Sequence, residues 1–235
     1  MNQTLLKQCV AEFIGTFALI FIGIGVIYNN TPGAGVGLLG VALAHGLTIA
    51  VMVSATMSIS GGQLNPAVTF GLFVGGQMNL TKTIAYWTAQ LAGGAAAGFL
   101  VRALAGGAGV DVVSAGTPDL AMQNGVARVT FAQAIVIEMV LTFFLVFVVY
   151  GSAVDARAPK IGGLAIGLTV ALDILFGGPL TGASMNPART FGPAIASGHW
   201  NNHLVYWIGP LAGGASAGII YGRFLIKPEA SPSSK

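Results

Sequence analysis

The chain is short of charge. Its 235 residues include 10 Lys and Arg and 7 Asp and Glu, together 7% of the total, where a soluble domain carries roughly a quarter. So few charges cannot cover a globule with a wetted surface, which excludes a soluble domain and leaves an integral membrane protein. Cysteine is nearly missing as well. Cys9 is the only one, so an intrachain disulfide is excluded and the residue is read as inert. The net charge of +3 rests on few groups, so the placement of Lys and Arg matters more than their sum. What the sequence does have is apolar residues, 54%, and 35 glycines without a collagen-like period. In membrane helices Gly and Ala let backbones approach closely, and packing replaces the hydrophobic drive. The start of the chain resembles a signal peptide only on the surface. Lys7 precedes an apolar run, but Glu12 interrupts it and no small-residue cleavage site precedes Tyr28, so the segment reads as a retained helix.

A helix needs about 20 residues, at ~1.5 Å each, to cross ~30 Å of hydrocarbon. Six stretches qualify: Gln8–Tyr28, Gly35–Met57, Thr83–Leu104, Thr130–Tyr150, Gly162–Phe176 with its flanks, and Leu204–Ile226. A longer loop runs over Gly106–Val129, and the polar tail over 228–235 reads as disordered.

The chain repeats itself. "SGGQLNPAVTFG" from Ser60 aligns without gaps on "TGASMNPARTFG" from Thr181, and "AHGLTIA" from Ala44 aligns on "AIGLTVA" from Ala165, both 121 positions apart. "LAGGAAAG" from Leu91 matches "LAGGASAG" from Leu211 at an offset of 120, and these stripes read as close-packing surfaces. The halves, 1–120 and 121–227, each hold an odd number of spans, so the second must enter the bilayer from the opposite side as an inverted repeat. With both termini in the cytoplasm, Lys7, Lys82, Arg157, Lys160, Arg223, Lys227 and Lys235 lie inside and only Arg102 and Arg128 outside, the bias that cytoplasmic loops carry.

Each repeated string holds Asn-Pro-Ala: Asn65, Pro66, Ala67 and Asn186, Pro187, Ala188. Asn favours the N-cap of a helix, and Pro at the first helical position loses no hydrogen bond. The apolar stretches that follow, Val68–Gly76 and Thr190–Gly198, are only half a bilayer long. The irregular segments before them, "SGGQL" and "TGASM", are tolerated at membrane depth only beside protein or a water-filled cavity. Each half therefore holds a re-entrant loop and a half-helix. Inverted symmetry sets the two helix N-termini facing each other, with roughly half a positive charge each. The Asn65 and Asn186 amides can donate there, and the carbonyls at 60–64 and 181–185 can accept. Such a path wets but disfavours charge.

With these motifs and "AEFIGTF" near the start, the chain resembles the aquaporin family over about Ala11 to Ile226. The resemblance implies an all-α membrane fold of six spans and two re-entrant half-helices, a homotetramer with one pore per subunit, and passive flow of water that excludes protons and ions. It implies no enzyme activity, cofactor, metal or nucleic acid. Motif matching implies a selectivity filter of His45, Ile174, Ala183 and Arg189. The chain departs from the bacterial aquaporin Z type, which has Phe on the second helix and His on the fifth. "ALAHGLT", "DILFGG" and "GASMNPA" look more like plant tonoplast intrinsic proteins. It departs from aquaglyceroporins in having Thr190 after "NPAR". A broader neutral-solute pore passing ammonia, hydrogen peroxide or urea is the alternative. The short termini favour a prokaryotic inner membrane, while the tonoplast-like motifs leave a eukaryotic internal membrane open.

Other residues carry two readings. Glu12 and Glu138 are carboxylates at membrane depth, which point to proton or ion coupling or to bracing of the re-entrant loops, whose backbone N–H groups need partners. Their symmetry favours bracing. Asp173 either supports the filter or faces a subunit neighbour or headgroups. Trp87, Trp200 and Trp207 read as interface anchors. His199 and His203 lie near a loop and are not read as a metal pair.

Overall fold

The computed structural model describes residues 3–30, 35–106, 114–159 and 161–226. The tail at 228–235, and Lys160, Lys227 and Lys235 from the charge count, lie outside the described residues. The helices are α1 (Gln3–Tyr28), α2 (Gly37–Ser60), α3 (Pro66–Val74), α4 (Leu80–Leu104), α5 (Phe131–Val149), α6 (Gly162–Thr181), α7 (Pro187–Ser197) and α8 (Val205–Ala217). A π turn at Tyr150–Val154 extends α5, and a π-helical stretch at Gly218–Leu225 extends α8. Five helices are long and apolar enough to cross a membrane: α1, α2, α4, α5 with its π turn, and α6. The sixth span is made only when α8 continues through its π-helical stretch.

Helix ends follow local chemistry. Asn79 caps α4 by accepting from the Lys82 amide, and Thr130 with Gln133 forms a reciprocal capping box on α5. α2 and α6 both stop at a glycine in the left-handed region, Gly61 at φ 94° and Gly182 at φ 79°. α6 runs past Phe176 to Thr181 because the helix absorbs Pro179. The half-helices α3 and α7 have 9 and 11 residues, ~14 and ~17 Å at ~1.5 Å per residue.

The loop expected over 106–129 contains a hairpin that the sequence reading did not anticipate. Met122–Gln123 pairs with Val126–Ala127. Its turn, Asn124-Gly125, has φ 52° and 79°, the left-handed pair that a two-residue turn demands. That dipeptide was the missed signal.

The glycine stripes decide how the halves join. A methyl group at Gly94 would sit 2.8 Å from the Ala188 carbonyl oxygen, and one at Gly98 2.5 Å from that of Gly192. The matching stripe on α8 lies against α3, with Gly214 on the Ala67 carbonyl and Gly218 on that of Gly71. Each stripe therefore seats the half-helix of the opposite half. α2 and α6 cross just as closely, Gly46 against Gly167. The buried cluster of Leu19, Val53, Leu145, Val149, Val170 and Met185 surrounds a central cavity. Leu47, Val51, Ile84, Phe144, Leu168 and Leu172 remain exposed, the faces a bilayer would cover.

Candidate functional site

Two short helices meet where the repeated strings lie. Asn65 accepts from the Ala67 amide (2.8 Å) through Oδ1, and its Nδ2 donates to the Met185 carbonyl (2.9 Å). Asn186 mirrors it: Oδ1 accepts from Ala188 (3.0 Å) and Arg189 (3.2 Å), and Nδ2 donates to the Leu64 carbonyl (3.0 Å). Each asparagine thus caps its own half-helix and ties itself to the other loop. One amide hydrogen of each is spent on that tie, and the second is left to donate elsewhere. Pro66 and Pro187 occupy the first turn of their helices, and Ala67 and Ala188 are fully buried behind them.

The residues before each asparagine are bent hard. Leu64 and Met185 have φ 53° and 54°, and Gly62 and Ala183 have 59° and 44°. A left-handed Leu, Met or Ala costs about 1–3 kcal/mol and persists only where the surroundings over-determine it. Glu12 and Glu138, both with no exposed surface, supply that constraint. Glu12 accepts from Ser60 Oγ (2.6 Å), Gln63 N (3.0 Å), Leu64 N (2.6 Å) and Gln90 Nε2 (2.8 Å). Glu138 accepts from Thr181 Oγ1 (2.7 Å), Ser184 N (3.0 Å) and Met185 N (2.7 Å).

Sequence reasoning missed a second pair of braces. The Tyr86 hydroxyl donates to the Ser60 carbonyl (2.8 Å), and that of Tyr206 to the Thr181 carbonyl (2.7 Å). Both rings are fully buried. Their 120-residue offset was the available signal, since it equals that of the glycine stripes. Trp87 was read as an interface anchor. Its indole instead donates to the Pro66 carbonyl (2.9 Å), and its ring meets Trp207 edge-on at 6.2 Å. The carbonyls at both ends of each bent run are now taken, which leaves those at 61–63 and 182–184 free of these ties.

His45, Ile174, Ala183 and Arg189 line one cavity together with Asn65 and Asn186. A vestibule on the side covered by the 114–127 segment shares His45, Ile174 and Arg189 with it, so these side chains stand at the neck between the two. His45 Nδ1 lies 2.9 Å from the Val41 carbonyl, which puts the ring proton on Nδ1 and leaves Nε2 free to accept. Gly23 makes room for that ring, since a methyl group there would sit 2.6 Å from Nε2. The Arg189 guanidinium, 7% exposed, donates to the Gly116 carbonyl at 3.4 Å. Gly116 was also missed. Its contact crosses 73 residues and depends on how the loop folds over the mouth.

Asp173 follows neither expectation for a facing surface. It is 5% exposed, so it does not look out to headgroups or to a neighbouring subunit, and it lines neither cavity. Its Oδ2 has no partner among the described residues, and the structure gives it no role. The Cys9 thiol rests 3.7 Å from the Ala85 carbonyl. No group of three His, Cys, Asp or Glu among the described residues could hold a metal.

The family model described as Major intrinsic protein matches residues 1–221. Aquaporin TIP1-2 of Zea mays is 45% identical over 224 residues, 92% of this chain and 84% of that protein. Aquaporin TIP2-1 of Arabidopsis thaliana is 43% identical over 227 residues, 93% of this chain and 87% of its own. Among solved structures, the aquaglyceroporin from Plasmodium falciparum superposes with a TM-score of 0.81 at 25% identity, covering 94% of this chain and 97% of its own. The chain belongs to the major intrinsic protein family. It is a multi-pass membrane channel of the aquaporin type and not an enzyme. The expectation of a prokaryotic inner membrane is not borne out, because these curated relatives are plant proteins. Terminus length, the ground for that expectation, is a weak guide to the membrane a channel serves.

Proposed function

We propose that this channel passes water, in either direction and without coupling, along the path between the two half-helices. The crossed ties from Asn65 and Asn186 carry the reading. They hold the two helix N-termini face to face, each with roughly half a positive charge, and the low-dielectric surroundings strengthen the repulsion of cations. The free amide hydrogens of the asparagines and the carbonyls at 61–63 and 182–184 then offer donors and acceptors in sequence. Glu12 and Glu138 act as braces: among the described residues, neutral donors make the side-chain hydrogen bonds that each carboxylate accepts. His45, Ile174, Ala183 and Arg189 form the filter, where Arg189 adds fixed positive charge and Ile174 and Ala183 set the width.

The same reading divides the chain into inverted halves at 1–120 and 121–227, places both termini in the cytoplasm, and assembles the chain as a homotetramer. The aquaporin relatives favour water over the broader neutral-solute pore. The test is stopped-flow light scattering on proteoliposomes under osmotic gradients of sucrose, urea and glycerol, with proton entry followed by an internal dye. Rapid water flow with negligible glycerol entry and no proton current is expected. A proton leak in the unmodified channel would falsify the charge-exclusion argument.

A further inference from the structure

The segment that carries Gly116 is pinned along two edges. On one, the Ala121 amide donates to the Leu180 carbonyl (3.0 Å) and the Arg128 guanidinium to the Pro179 carbonyl (2.7 Å), both at the end of α6. On the other, Asp119 meets the segment that follows α7. Its Oδ2 lies 2.7 Å from His199 Nε2, and its Oδ1 accepts from Asn202 Nδ2 at 2.8 Å and from the Leu120 amide at 2.7 Å. The second ring nitrogen of His199 is 3.4 Å from Ser114 Oγ, and Thr117 Oγ1 is 3.4 Å from Ser197 Oγ. The Asp119 and His199 side chains are 28% and 24% exposed, so water reaches the pair without dissolving it.

Between these pins the backbone is strained. Ser114 and Ala115 have φ 48° and 50°, and Gly116 has 69°. Left-handed Ser and Ala hold only where something outside the segment enforces them. At the crest of this bend the Gly116 carbonyl reaches Arg189. A buried arginine with rotatable bonds takes up the place its partner gives it, and an uncompensated guanidinium at depth costs several kcal/mol.

We propose that Asp119 and His199 are positioning residues for the pore. Their pairing fixes the bend, the bend presents the Gly116 carbonyl, and that carbonyl holds Arg189 to one wall of the neck, which sets the largest solute admitted. The inference rests on the reading of Arg189 as a filter residue.

The test measures urea and water permeability on the same proteoliposomes. The variants are Asp119→Asn, His199→Gln, the double variant, Asp119→Glu and Arg189→Val. Asp119→Asn and His199→Gln should each raise the urea-to-water ratio about fivefold, equivalent to about 1 kcal/mol at the neck. The double variant should add little, because both single changes break one interaction. Asp119→Glu should keep most of the parent ratio. If Arg189→Val shifts the ratio and the clasp variants do not, the clasp is a mere tether and the proposal is overturned while the filter reading stands. If the clasp variants shift it and Arg189→Val does not, the effect bypasses Arg189 and the proposal is equally lost. If none shifts it, the filter reading falls too. Water and urea falling in proportion would mean damaged folding and also overturns it.

Discussion

At the neck under the 114–127 segment stand His45, Ile174 and Arg189, with Ala183 in the inner cavity beside them. At the equivalent places of the other half, each 121 positions away, stand Ile166, Val53, Gly62 and Val68, and these line the same cavity. Val53 lies eight residues beyond His45 on α2, and Ile166 eight before Ile174 on α6, so the two rings are ~12 Å apart along the pore. One ring carries an imidazole and a guanidinium; its twin is wholly apolar. The loop braces behave in the opposite way. Glu12 and Glu138, Ser60 and Thr181, Tyr86 and Tyr206 repeat one pattern of donors and acceptors in both halves. The frame is symmetric because both re-entrant loops pose the same problem of unmet backbone groups. On the proposed function, selectivity needs only one gate, which accounts for the broken symmetry of the rings.

The strongest way to break this comparison is to remove a brace. Glu12→Leu strands the amides of Gln63 and Leu64 along with Gln90, and Glu138→Leu strands those of Ser184 and Met185. At about 1–3 kcal/mol per buried donor, either change takes a large share of a stability that is typically 5–15 kcal/mol. Folded yield and thermal midpoint in detergent should collapse for both, more for Glu12, which has the extra Gln90 contact. Gln in place of either Glu should lose far less. Equal damage from Gln and Leu would mean that charge, not acceptance, was the function.

Next in size is Arg189→Val, which makes the polar ring match its twin at Val68. Water flow should persist, while proton or cation current rises from background to a level that planar-bilayer recordings resolve. If the variant stays electrically silent, the opposed helix ends exclude charge unaided and the broken symmetry serves solute size alone. A smaller effect sharpens the symmetric side. Tyr86→Phe and Tyr206→Phe each remove one hydrogen bond to a loop carbonyl, so each should cost about 1 kcal/mol and lower the thermal midpoint by similar amounts. A large inequality would show that the frame is less symmetric than its bonds.

The smallest effect is expected between α5 and α6. Beyond the π turn of α5, the Arg157 guanidinium makes a two-pronged contact with Asp155 and holds its carboxyl well below the usual carboxylate range. A depressed carboxylate contributes stability above its unfolded pKa, about 3.9, and loses it as pH falls through the lower folded value. The thermal midpoint should therefore be insensitive to this pair from neutrality down to about pH 4 and decline only below. Asp155→Asn should remove that acid-side decline and change little else. A shift near pH 6 that vanishes in this variant would contradict the assignment.

By itself the sequence determined the class of protein and the position of its working parts. Scarce charge requires a bilayer, and the repeat offset of 121 locates both strings. Asn65 and Asn186 start α3 and α7 because a cap and a first-turn proline act on residues within one helical turn. The bent loops, the buried acids and the close-packing stripes were legible for the same reason: each breaks an apolar background locally. The partners of those features were not. The ties from Asn65 to Met185 and from Asn186 to Leu64 span 120 and 122 residues. Trp87 turns inward to Pro66, Gly116 meets Arg189 across 73 residues, and each glycine stripe seats the opposite half's short helix. Periodicity says which face of a helix is apolar or smooth, but not which surface will cover it. That choice was made by the tertiary structure, because the free energy of a close backbone contact depends on the shape of both surfaces at once.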